Sequence, residues 1–90
     1  MYKVTQMTST RSGNPVANQF EIRTPKGLFF QSYDSIIALV DTKNNIILDE
    51  YYHDYSRTTS KYLSSFLGIS TQDRKKMIKS KEIKLKDLNK

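Results

Sequence analysis

YYHDYSRTTSKYLSSFLG, residues 51–68, is where the hydrophobic pattern of the chain changes period, and that change decides the fold class. Tyr62, Leu63, Phe66 and Leu67 fall at i, i+1, i+4 and i+5, one stripe on a helix of 3.6 residues per turn. Ser56 stands just ahead of the stripe, where its hydroxyl can accept from the free N–H groups of a first turn, and Asp54 adds negative charge near the positive end of the dipole. Gly68 follows the last stripe residue and can take the left-handed conformation that closes a helix, with Ile69 placed to fold back on Leu63. The spacing predicts a helix over residues 57–67, roughly three turns.

Upstream the period is 2. Residues 2–7 alternate loosely as a first strand, with Tyr2 and Val4 on one face. Phe20 and Ile22 alternate with Glu21 and Arg23, Thr24-Pro25-Lys26-Gly27 suits a turn, and residues 28–33 return as the hairpin partner. The apolar run 36–40 reads as a central strand, Thr42-Lys43-Asn44-Asn45 as a turn, and Ile46, Ile47 and Leu48 as the strand that returns beside it. Between the first two strands, TSTRSGNPVAN (8–18) has loop chemistry. Arg11, near Gly13, could reach a phosphate there or simply be solvated.

Downstream, Ser70 opens a second helix with Asp73 three residues on, an approximate capping box. Its apolar content is Met77 and Ile78, so it is expected to pack by a narrow edge and leave Arg74, Lys75, Lys76 and Lys79 in solvent. Ile83 and Leu85 then alternate with Lys84 and Lys86, as in a short edge strand whose lysines discourage aggregation. The expected fold class is α+β: an antiparallel sheet of four to five strands with two short C-terminal helices, the first packed on one sheet face. One domain spans 1–90, divided into a β meander (1–50), an aromatic segment and helix (51–68), and a basic helix and tail (69–90). Phe20, Phe30, Tyr62 and Phe66 are expected in the core, and Tyr33, Tyr51, Tyr52 and Tyr55 partly exposed.

Ninety residues bury only about 60% of their unfolded surface, so the core must be compact. There is no cysteine to make a disulfide or a thiolate zinc site. The longest apolar run, 36–40, is far short of the roughly 20 residues that span a bilayer, and the N-terminus has no signal-peptide core, so a soluble, cytoplasmic chain is expected. The net charge is +6, unevenly placed: residues 1–68 carry seven Lys/Arg against six Asp/Glu, and residues 69–90 carry eight against three. Such asymmetry suits an acidic partner, nucleic acid included, and also a solvated face that keeps a small domain soluble. The run Asp49-Glu50-Tyr51-Tyr52-His53-Asp54-Tyr55 offers carboxylates and the single histidine, but neighbours in sequence do not converge easily. A strand end passing into a helix cap accounts for it better than a metal or a general base. No catalytic residue, metal or cofactor is expected. The expected binding residues are Arg74, Lys75, Lys76 and Lys79, with Tyr51, Tyr52, Tyr55, Arg57 and Arg11 as further contacts.

Three segments carry a resemblance: Asn18-Gln19-Phe20, Phe30-Gln31-Ser32-Tyr33, and DYSRTTSKYL (54–63) with Phe66-Leu67-Gly68. Over most of the chain from Asn18 onward it resembles a family of small uncharacterised proteins carried by phages and plasmids of low-GC Gram-positive bacteria. The resemblance implies a context and no activity: an accessory or anti-defence protein, CRISPR inhibitors included, that acts by binding a host protein or nucleoprotein in the bacterial host cell. The basic charge is unlike that of acidic DNA mimics. A non-enzymatic binding protein is therefore expected, with a nucleic-acid binder using the C-terminal Lys/Arg segment as the alternative.

Overall fold

A computed structural model of the chain describes residues 3–9, 12–54 and 56–89. Among them the elements run β1 (Lys3–Thr8), β2 (Pro15–Thr24), β3 (Gly27–Ser32), β4 (Ser35–Asp41), β5 (Ile46–Asp49), α1 (Arg57–Leu67), α2 (Thr71–Lys79) and β6 (Ile83–Lys86). The strands form one sheet in chain order. The first five are antiparallel neighbours, whereas β6 pairs with β5 in parallel, in the register Ile46 to Ile83 through Asp49 to Lys86. A parallel neighbour needs a long crossover, and α1 with α2 supplies it. The α+β class therefore holds, but the sheet is mixed and six-stranded instead of antiparallel with four or five strands.

Tight connections set the register. Thr24 faces Gly27 across a two-residue turn, and a Cβ on Gly27 would overlap the Val40 carbonyl oxygen and come within 2.7 Å of Asp41 Cα, so only glycine fits beside β4. Asp41 closes the β4–β5 turn by accepting from the N–H groups of Lys43 and Asn45 at 2.9 Å each, which leaves Asn44 at φ 66°. The loop expected over 8–18 is shorter, because β2 begins at Pro15, a strand's first position, where the missing N–H is tolerated. The extra residues of β2 are taken up as an irregularity opposite Met7, with Asn18 at φ 67°.

Residues directly opposite in antiparallel strands share a face, so the register sorts the side chains. Phe30 stacks on Phe66 of α1 with centroids 5.5 Å apart, which puts Phe30, Ala38 and Leu48 on the helix side; all three are fully buried, with Ile37, Leu63 and Ile83 nearly or fully so. The next row, Val4, Ile22, Phe29, Leu39 and Ile47, crosses five strands on the opposite face, which neither helix covers. Phe20 was expected in the core with Phe30, Tyr62 and Phe66. It lies half-buried on that uncovered face, because Glu21 faces Phe30 and β2 turns Gln19 toward the helices.

Candidate binding surface at the edge between α2 and β6

Asp49 holds this end of the molecule together. Its side chain is fully buried, and its two oxygens take four donors: Oδ2 accepts from the N–H groups of Tyr51 (3.0 Å) and Tyr52 (2.9 Å), and Oδ1 accepts from Leu88 N–H (2.8 Å) and Asn89 Nδ2 (2.9 Å). The Asn89 amide also bonds both backbone groups of Ile36, at 2.7 and 3.0 Å, and so continues the β4 edge past the point where β5 turns away. Burial alone would raise the Asp49 pKa. The donated N–H groups of Leu88, Tyr52 and Tyr51 and the Asn89 amide outweigh it and hold the carboxyl below its ordinary range. The segment after β6 is thereby tied back to β5, which fixes β6 as the outer strand.

The helices that carry the chain to β6 are capped as their sequences predict. Ser56 Oγ accepts from Thr59 N–H at 3.1 Å and Ser70 Oγ from Asp73 N–H at 3.2 Å, while Gly68, at φ 69°, ends α1 with its own N–H and that of Ile69 both on the Ser64 carbonyl. Arg74 corrects the expected solvent face of α2. It is 2% exposed, and its guanidinium donates to Ser60 Oγ (2.7 Å), Ser64 Oγ (2.9 Å) and the Ser60 carbonyl (3.4 Å), tethering α2 to α1. The reason is positional: 74, 77 and 78 stand at i, i+3 and i+4, so Arg74 shares the buried stripe with Met77 and Ile78. Burial pulls its pKa down and the charge of Asp54 pulls it back up.

With Arg74 inside, Lys75, Lys76 and Lys79 remain exposed on the outer face of α2. Beside them a groove of about 410 Å³ is lined by Ile78, Ile83 and Leu85 and by Lys81, Lys84 and Lys86. Leu85 is 40% exposed there. Lys81, Lys84 and Lys86 were absent from the expected site; Lys84 and Lys86 read only as aggregation guards on an edge strand. Among the described residues after Gly68, six lysines stand in solvent against Asp73, Glu82 and Asp87.

The other expected contacts lie elsewhere. Arg57 is exposed on α1 and lines a separate depression with Asp54, Ser56, Ser60, Lys61 and Thr71. Tyr51 is 74% exposed, and Tyr52, partly exposed as expected, rests one side against the core. Arg11 and Tyr55 fall outside the described residues. His53 is half-buried, with Nδ1 buried and without a hydrogen-bond partner. Burial and the Arg74 charge lower its pKa against the opposing pull of Asp54 and Asp49, so the ring is neutral near pH 7. Among the described residues no three His, Asp or Glu side chains stand close enough to hold a metal ion, and no helix is long and apolar enough to cross a membrane.

The sequence profile of a family of unknown function, DUF8033, matches residues 2–85, nearly the whole chain. The chain belongs to DUF8033. The match takes in every strand and both helices, ending within β6. No curated protein and no solved structure is significantly similar to it.

Proposed function

We propose that the chain is a binding protein that acts without catalysis, docking an acidic surface of a host protein or nucleoprotein on the edge formed by α2 and β6. The resemblance to small phage and plasmid proteins supports reading it as an accessory or anti-defence factor. One observation carries the choice of surface: the groove combines a lysine rim with an apolar floor at an open sheet edge. A phosphate backbone needs the lysines and has no use for the floor, whereas a protein segment uses both. The experiment is a binding comparison between poly-glutamate and a short DNA duplex at low and high salt, with the wild type and a Lys81→Glu, Lys84→Glu, Lys86→Glu variant. Poly-glutamate binding that the triple reversal abolishes supports the proposal. Preferential duplex binding, with a loss of about 0.9 log units in affinity per log unit of salt for each phosphate contact, supports the nucleic-acid alternative. A reversed variant that binds poly-glutamate as tightly as the wild type refutes the assignment of the surface.

A further inference from the structure

We infer that β6 is a template strand, and that the acidic partner contributes an extended segment that pairs with it as a seventh strand. The inference rests on the binding reading above and names the form of the partner. Among the described residues, strand order leaves β6 with a neighbour on one side only. Glu50 N–H donates to the Lys86 carbonyl at 2.9 Å, so the backbone groups of Lys86 face β5. Backbone direction alternates along a strand, so Lys84 faces β5 as well, in keeping with the parallel register, and Ile83 and Leu85 turn their N–H and C=O groups to the open edge. An incoming extended segment meets two donors and two acceptors in strand spacing.

The side chains around that edge specify the segment. Half-buried Ile78 of α2 and exposed Leu85 make an apolar seat on the helix side, with the core residue Ile83 beneath them, while Lys84 and Lys86 alternate with Ile83 and Leu85 and project to the other side, with Lys81 at the entry. A segment that alternates apolar and acidic residues places its apolar side chains on the seat and its carboxylates against the lysines. The same lysines disfavour a second copy of this chain, since two β6 edges brought together would oppose like charges.

The test is nuclear magnetic resonance of the ¹⁵N-labelled chain titrated with an alternating Glu-Val peptide, with the same peptide N-methylated at every second residue, and with a short DNA duplex. The expected result is slowed hydrogen exchange at the Ile83 and Leu85 amides with the parent peptide, and an affinity roughly ten- to thirtyfold weaker with the N-methylated one, the loss of about two hydrogen bonds. Equal binding of both peptides overturns the strand-pairing inference and leaves the basic-surface reading standing. Binding of the duplex alone overturns both. No protection of Ile83 and Leu85 at millimolar parent peptide also overturns the template role.

Discussion

Replacing Asp49 by asparagine keeps the shape of the side chain and removes the property the structure uses, which is acceptance of four hydrogen bonds by a buried carboxylate. An amide keeps one acceptor oxygen and turns an NH₂ toward two N–H donors. Two charge-assisted bonds are lost at about 1.5–3 kcal/mol each. Tyr51 and Asn89 are exposed and can turn to water, but Tyr52 and Leu88 are half-buried, and leaving either unpaired adds to the loss. The expected destabilisation is about 3–5 kcal/mol. For a chain of this length that is a large share of a total of about 5–13 kcal/mol. Urea melts at neutral pH measure it. A pH series gives a second readout. The folded pKa of Asp49 lies below its unfolded value, so its contribution is fully present above about pH 4 and is lost as the pH falls through the folded value. Asp41 is also held low, by the Asn45 N–H first, but it titrates in both proteins and cancels in the comparison. The variant should therefore lose less stability than the wild type on acidification. A loss below about 1 kcal/mol at neutral pH, or the same acid slope in both proteins, would refute the carboxylate's role as the tie between β5 and the residues after β6.

Two further outcomes follow from buried polar groups. Arg74→Glu, which places a second acid near Asp54 and strips the Ser60 and Ser64 hydroxyls of their donor, should cost about 3 kcal/mol or more, against about 0.5 kcal/mol or less for Lys76→Glu on the solvated face; equal denaturation midpoints would mean that Arg74 is not a tether. Gln19 is fully buried with neither amide atom hydrogen-bonded, so Gln19→Met should raise stability by about 1–3 kcal/mol in thermal or urea melts, and a fall would show that the amide has a role that its contacts do not reveal.

Local chemistry made the helices legible. Ser56, Gly68 and Ser70 act through groups within a few residues of themselves, and α1 spans the residues its stripe and caps predict. The strands were legible as strands and less so as a sheet. Whether Phe20 or Gln19 faces the helices depends on β2 pairing Glu21 with Phe30, a long-range register that alternation alone leaves open. The parallel placement of β6 likewise depends on where two helices deliver the chain. Arg74 is a different case: its place at i−3 and i−4 from Met77 and Ile78 puts it on their stripe, while its charge type points to solvent, and position wins because Ser60 and Ser64 supply acceptors. Asp49 was hidden by its neighbours, since an acidic and aromatic run draws attention to chemistry while the carboxylate serves backbone groups, two of them beyond β6.

Charge counting also overstates what the C-terminal segment offers a partner. Of its described basic residues Arg74 is spent inside, and the other six, lysines in solvent, are what a small domain needs for solubility alone. Edge-strand lysines have that protective role in any sheet. The distinguishing feature is Leu85, which sits 40% exposed beside Ile78 and Ile83. A strand guarded only against aggregation is better served by a polar residue at that position, because an apolar seat on an open edge invites the pairing that lysines discourage. In the proposed template role, lysines and seat together act selectively: they turn away a second basic copy of the chain and accept a strand that brings carboxylates with its apolar side chains.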